Sequence, residues 1–573
     1  MKIEKHWGIS LLAVLAIGPG LMLNTSLNSI REILQQTFNN QSYISITPVL
    51  IGVISFAFCI PFGPILRHKL GERSTYVLSM CLFLIGAIVS IASNSFLGMG
   101  IGRFLQGTGT GLALMMMIPM LVLSFPIYKR NLALLILIGG FYGSSVVGIF
   151  LGMLVNSYGH WRWLFYIAAV LSLLGICFSY KFLTNDHAKQ QHKHHEPFDI
   201  IGVALMFMVT AFITFTLLNL QKSGWASTYV WIGIVGSIIF LCFLFIAEWH
   251  IKNPLIPFRL VASRKPALAI LIAVIGNISM SLTLLSLQGL LKSGSGFDKG
   301  EMSLIYIGLF AGIVIAAILS AVLYDKVGPG VLGIIGAVII MGVSIQWMYL
   351  DGQASAFLFV SSFAALIAGV GFTVAAGLMG AALGGPLPSL VPRMVTVQFI
   401  RVTVSAVIPV ISSIVFAKVY KDHLATVSAE SQVASKENFT QSLHVKFEII
   451  TYHTFSTFSC VLSIVVFILS FLMFLTGKGH KLAHKPHDKE KNKEKLSTEE
   501  VHSKKATPVF ERSPKEIVAN QVIGDSEYRE ALKKFGQPKP SPDKMLHMRD
   551  QEYRKALKRM KDMGQYAKLK NFE

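Results

Sequence analysis

The chain has 573 residues, 53% hydrophobic and 14% charged, with a mean hydropathy of +0.59. A soluble protein of this length carries about 25% charged residues, so the composition excludes a soluble globular protein and indicates a polytopic membrane protein. The net charge of +21 invites a nucleic-acid reading, but the basic residues are spread over loops and a tail, so no nucleic acid is expected.

Hydropathy divides the chain into fourteen apolar segments. They fall at 8–29, 46–66, 75–94, 97–123, 132–155, 163–183, 200–220, 229–247, 267–288, 302–323, 331–350, 354–380, 394–417 and 454–475. Each has an apolar core of about 17–25 residues, enough to cross a bilayer as a helix. An even count puts both ends on one side. Short loops on the N-terminal side hold fifteen Lys and Arg, against Arg31, Arg162, Lys222, Lys292 and Lys299 on the other. The positive-inside rule then places both termini in the cytoplasm. The first segment carries Asn24 and Asn28 with no convincing cleavage site, so it reads as a retained span. The five cysteines all lie in apolar segments and suit neither a disulfide framework nor zinc. A phosphate-binding GxxxxGK[ST] loop is absent from the sequence. The chain is therefore not read as an enzyme, and no cofactor or metal is expected.

The fourth segment holds one arginine and no acid, within Arg103-Phe104-Leu105-Gln106-Gly107-Thr108-Gly109-Thr110-Gly111. A guanidinium in a span costs about 2.5–3.5 kcal/mol on insertion scales and usually faces a polar cavity. Gly107 and Gly111, four apart, let a neighbouring helix approach closely. A transport pathway is the reading; a packing helix with a snorkelling arginine is the alternative. Met115, Met116, Met117 and Met120 read as core filling, with an adaptable apolar substrate surface as the alternative. In the fifth segment Gly140, Ser144, Gly148 and Gly152 repeat at i+4 and put small residues on one face. His187, His192, His194 and His195 form a hydrophilic loop whose metal-binding alternative is not adopted. Residues 477–573 form a basic tail with 24 Lys/Arg and 15 Asp/Glu. In it, Glu527-Tyr528-Arg529-Glu530-Ala531-Leu532-Lys533 recurs as Glu552-Tyr553-Arg554-Lys555-Ala556-Leu557-Lys558. Attraction to anionic lipid and docking of a cytoplasmic protein on 526–560 both fit, and composition does not separate them.

Five landmarks, in order, resemble the fourteen-helix drug:proton antiporter group of the major facilitator superfamily over about residues 1–476. Arg103 to Gly111 is similar to that group's fourth-helix motif. His160-Trp161-Arg162-Trp163-Leu164-Phe165 resembles the motif opening its sixth helix. Phe198-Asp199, Gly202 and Gly224-Trp225 are similar to its two extra central helices. Glu248 with Asn253-Pro254-Leu255 resembles the exit from helix eight. Asp325-Lys326-Val327-Gly328-Pro329 is similar to the second-half copy of its loop motif. The resemblance implies an all-α membrane protein of the major facilitator fold. Its parts would be six-helix bundles at 1–185 and 259–476, an extra helix pair at 186–258 and the tail at 477–573. It also implies a multi-pass transporter in the cytoplasmic (inner) membrane, an antiporter working by alternating access in efflux and multidrug resistance.

The departures bear on mechanism. In the first-half loop motif, Arg67-His68-Lys69-Leu70-Gly71-Glu72-Arg73 puts His68 where the group has an acid, while Gly71 and Arg73 remain as gating and packing candidates. Asp325 keeps the acid in the second half. Helix five lacks the group's proline kink but retains Gly148 and Gly152 for packing. Helix one has Leu23-Asn24-Thr25-Ser26 where the group has an intramembrane aspartate, and no span offers a carboxylate near the midplane. Asparagine does not titrate, so the residues argue against the standard carboxylate form of proton coupling. The central cavity is then expected to be net positive and to favour an anionic substrate. Arg103 would contact it, with Gln106 and Asn24 adding hydrogen bonds. Arg401 would be a second cation, and Asn277 and Gln288 further polar contacts. Three readings follow: an exporter of an organic anion such as a metabolite or siderophore, a proton-coupled multidrug exporter, and a transporter-like anchor whose tail recruits a partner.

Overall fold

The computed structural model describes residues 4–38, 45–184, 199–294, 296–350, 354–385, 389–430 and 437–482. The chain divides into two units, 1–488 and 489–573. The tail repeat at 526–560 and the histidines of the central loop lie outside the described residues.

Lipid offers no partner to a peptide group, so a spanning chain satisfies its backbone internally. Twelve helices are long and apolar enough to cross a membrane, and the bent pair Thr47–Cys59 with Phe62–Leu70 makes a further span. One of the twelve, Ile307–Tyr349, is 43 residues long and breaks at Gly328, so it is two spans joined end to end. Counted this way the described residues are consistent with the fourteen spans of the hydropathy reading. They are α1 (Lys5–Ser29), α2 (the bent pair), α3 (Glu72–Ala92), α4 (Phe96–Ser124), α5 (Asn131–Asn156), α6 (Arg162–Phe182) and α7 (Ile200–Ser223). Then come α8 (Thr228–His250), α9 (Arg264–Leu291), α10 and α11 (before and after Gly328), α12 (Ala356–Ala382), α13 (Leu390–Val419) and α14 (Glu448–Leu475).

Loop glycines reveal an internal repeat. Gly71 between α2 and α3 has φ 88 and ψ 169, and Gly328 between α10 and α11 has φ 84 and ψ 170. Only glycine adopts that region without strain. The two copies of the loop motif therefore turn the chain in the same way, one in each half.

Small residues set the helix spacing. On α5, Gly140, Ser144, Gly148 and Gly152 lie against Val14, Gly18, Met22 and Ser26 of α1, one i+4 row laid on another. A side chain at Gly148 would overlap the Met22 carbonyl oxygen, and Thr25 Oγ1 donates to the Ser145 carbonyl at 2.8 Å across the same contact. Helix α4 is clamped from two sides. Gly107 and Gly111 admit the backbone of α2 at Gly52 and Phe56, while Gly102 and Gly109 admit that of α3 at Gly86 and Ser79. The four methionines of α4 are at most 6% exposed, as core residues are.

Helix α5 is not a plain α-helix. After Asn131–Leu135 it widens into a π-helical stretch, Ile136–Tyr142, before resuming as Gly143–Tyr158. This irregularity occupies the helix in which the proline kink is missing. On the N-terminal side α5 also meets the second half: Asn131 Nδ2 donates to the Ala321 carbonyl of α10 at 3.0 Å, and Gly139 faces Ala317.

Candidate functional site

On the side opposite the N-terminus the two halves part around a cavity of about 820 Å³. Its walls come from the end of α1 (Asn28, Ser29) and the following helix Arg31–Phe38 (Arg31, Glu32, Gln35), and from α5 (Ile149, Met153, Asn156). The opposite walls are α9 (Leu285, Gln288, Gly289), Tyr306, Ser413 of α13, Lys421 beyond it and Tyr452 of α14. Two cations and one acid, Glu32, are the charged lining residues. Burial pushes the Arg31 guanidinium down to about 10, which leaves it charged at neutral pH.

Arg103 lies deeper, 1% exposed, and is not part of that wall. Its Nη1 donates to Gln106 Oε1 at 2.8 Å, and its Nη2 donates to Asn24 Oδ1 across to α1. Gly52 of α2 leaves the room: a Cβ there would stand 2.8 Å from Arg103 Cζ and Nε. Arg103 Nε and Gln106 Nε2 are buried without a hydrogen-bond partner. Among the described residues no carboxylate is in ion-pair contact with Arg103. Amide oxygens, which carry no formal charge, hold the guanidinium.

A polar ladder along α1 links this buried group to the cavity. Asn24 receives Arg103 on its side chain and the Asn28 Nδ2 on its backbone oxygen at 3.1 Å. Asn28 Oδ1 in turn accepts from Arg31 Nη2 at 2.7 Å. Asn28 lines both the large cavity and a small one between α2 and α13. Polar i, i+4 spacing at Asn24 and Asn28, one residue turn short of Arg31, was the available sequence signal for the ladder.

The other expected site residues are dispersed. Arg401 Nε donates to Gln398 Oε1 at 2.9 Å, and its guanidinium stacks 5.5 Å from the Tyr142 ring of α5, joining the halves where the π-helical stretch ends. Gln288 lines the cavity and hydrogen-bonds Tyr306. Asn277 is half-buried on α9 and its backbone oxygen accepts from Ser281. Thus Arg103, Gln106 and Asn24 come together, while Arg401 has its own partners.

Among the loop residues, His68 is exposed. Arg67 pairs with Glu72 at 2.5 Å, and Arg73 donates to the Leu183 carbonyl at the end of α6. In the second half Asp325 Oδ1 accepts the Leu482 amide at 2.8 Å, and Lys478 Nζ bonds the Lys326 carbonyl at 2.8 Å. The acid of the second loop motif thus fastens the chain that leaves α14.

A bundle of membrane-spanning helices, a cavity lined by both halves and open on one side, and a buried cation tied to it are the features of a membrane transporter. The family model described as Major Facilitator Superfamily matches residues 10–413. An uncharacterized MFS-type transporter, YubD of Bacillus subtilis, is 44% identical over 535 residues, 93% of this chain and 99% of its own. The methylenomycin A resistance protein of the same organism is 22% identical over 56% of this chain and 69% of its own. The lincomycin resistance protein LmrB of Listeria monocytogenes is 23% identical over 56% of this chain and 67% of its own. The chain belongs to the Major Facilitator Superfamily and is a multi-pass secondary transporter, not an enzyme.

Proposed function

We propose that the protein exports a small organic anion, of metabolite or siderophore type, across the cytoplasmic membrane, with both termini in the cytoplasm. The observation that carries this reading is the Arg103 guanidinium. It is fully buried, held by the uncharged oxygens of Asn24 and Gln106, and joined through Asn28 to Arg31 at the cavity wall. An uncompensated cation in a low-dielectric site favours a negative cargo strongly. Arg103, Gln106 and Asn24 form the deep contact, Arg31 and Gln288 the approach, and Arg401 the tie that rearranges as the halves rock. With both termini inside, the open cavity faces out, as an exporter does at the moment of release.

Proteoliposome uptake of candidate organic anions and lipophilic cations, with and without a pH gradient, tests the reading. Transport of anions that fails in Arg103→Ala supports it. Transport of lipophilic cations alone refutes it and favours a proton-coupled multidrug exporter, the reading to which the two resistance-protein relatives point. Recruitment of a cytoplasmic partner by 526–560 would appear as a phenotype that follows the tail and ignores Arg103→Ala.

A further inference from the structure

Two acids outside the cavity meet on the N-terminal side, where α7 begins and α8 ends. Asp199 caps α7, its Oδ1 accepting the Gly202 amide at 2.7 Å. Glu248, 0% exposed on α8, accepts the Ile256 amide on Oε2 at 2.9 Å. Their remaining oxygens, Asp199 Oδ2 and Glu248 Oε1, are buried without a hydrogen-bond partner among the described residues, while the Leu255 amide also approaches the Glu248 carboxyl. Both point at one spot. A Cβ on Gly202 would overlap each of them, so the glycine is what admits the pair, and the two carboxyls are within hydrogen-bonding reach.

Two carboxylate oxygens buried face to face with no donor among the described residues are unfavourable, whereas one proton between them supplies the missing hydrogen bond and removes one charge. Among the described residues, the cations of the surrounding elements are engaged elsewhere or exposed. On α8, His250 bonds the Ile246 carbonyl; on the linker, Arg259 lies 5.7 Å over the Trp249 ring and Lys252 is exposed. On α13, Arg401 stacks on Tyr142; on α2, Arg67 pairs with Glu72, and His68 and Lys69 are exposed.

We propose that Asp199 and Glu248 form a proton-binding site, one proton being held between Asp199 Oδ2 and Glu248 Oε1. The site governs a joint between the halves. Glu248 anchors Ile256, and the linker residues Leu255, Ile256 and Phe258 pack with Phe399 of α13 and with Phe58 and Phe62 of α2. The carboxyl O–H of one acid donates to the carboxylate of the other. When the proton leaves to water on the N-terminal side, two like charges remain face to face and the joint loosens. This assignment does not depend on the identity of the cargo.

Infrared titration of the full-length chain in nanodiscs, in H2O and D2O, tests it. The wild type should show a protonated-carboxyl C=O band near neutral pH that shifts on deuteration and disappears as pH rises. Glu248→Gln and Asp199→Asn should each lose that band, because an amide N–H then donates to the remaining carboxylate. A band that survives in either variant assigns the proton to one acid alone and overturns the sharing. A wild type without the band overturns it too, independently of how the variants fold. So does a band abolished by magnesium or calcium at constant pH, which would make the pair a metal site.

Discussion

Replacing Arg103 by lysine keeps the charge and removes the fork. The guanidinium spans two helices, with Nη2 on Asn24 of α1 and Nη1 on Gln106 of α4. A lysine ammonium is a point charge without paired in-plane donors, so one of the two bonds is lost. A hydrogen bond to a charged group contributes about 1.5–3 kcal/mol. The bond lost here ties α1 to α4, so where its loss displaces the charge offered to cargo the effect on affinity is at most about ten- to hundred-fold at about 1.4 kcal/mol per decade. Gly52→Ala perturbs the same group without touching its charge. The added Cβ would stand 2.8 Å from Cζ and Nε, where ordinary contact begins at 3.4 Å, so the guanidinium has to withdraw from Asn24. Initial transport rates against substrate concentration in proteoliposomes measure both variants, with thermal unfolding in detergent as the control for folding. Both should raise KM by a similar factor. Arg103→Lys with wild-type KM and maximal rate would refute a two-pronged contact, and with it the argument for an anion held at this point.

Other perturbations address the frame around the site. Gly148→Val drives a side chain into the Met22 carbonyl, and overpacking of this kind costs about 1–3 kcal/mol. A lower melting temperature and slower transport are expected, and an unchanged melting curve would contradict the close α1–α5 contact. Asp325→Ala removes the acceptor of the Leu482 amide, whereas Asp325→Asn retains one oxygen. Limited proteolysis should cut near 477–482 faster in the alanine variant only; equal rates would deny that Asp325 fastens the strap. Glu248→Gln mimics the protonated pair, so its transport rate should lose the dependence on N-terminal-side pH that is expected of the wild type as the proton leaves. A profile parallel to the wild type would remove Glu248 from the coupling.

Hydropathy and residue spacing made most of the frame legible. The apolar runs became helices because lipid forces each run to close its own hydrogen bonds, and the helices are consistent with fourteen spans. The small-residue row on α5 was visible as an i+4 pattern, and its partner on α1 is the row the structure lays against it. Gly71 and Gly328 were readable from their place in the two copies of the loop motif, and the structure puts both in a backbone region that favours glycine. The π-helical stretch Ile136–Tyr142 was not readable, since Ile136-Leu137-Ile138-Gly139-Gly140-Phe141-Tyr142 has no breaker stronger than its glycines. The site divides the same way. Arg103, Gln106 and Asn24 were anticipated together because a charge in a span demands partners. Arg31 was assigned to an outer loop, since sequence alone does not show that Asn28 hands the ladder on to it. Asp199 and Glu248 were each placed at a segment end, and their approach is a tertiary fact that the intervening helix pair creates.

The separation of these two charged sites constrains how any coupling works. In a carrier whose arginine is answered by a neighbouring acid, proton and cargo compete for one place, and the charge on that acid decides which is bound. Here the described hydrogen-bond partners of Arg103 are amide oxygens, and the paired acids stand at the joint between the extra helices and the linker. Among the described residues, competition of proton and cargo for an acid paired with Arg103 is therefore unavailable. A proton at Asp199 and Glu248 can act on cargo only by changing how α2, the linker and α13 pack, that is, by shifting the balance between the two openings. Such coupling requires that the proton bind the two forms unequally, and its strength cannot exceed that difference. It follows that cargo and proton can be bound together, so raising the proton concentration should change the maximal rate of transport and leave the competition pattern for cargo unaltered.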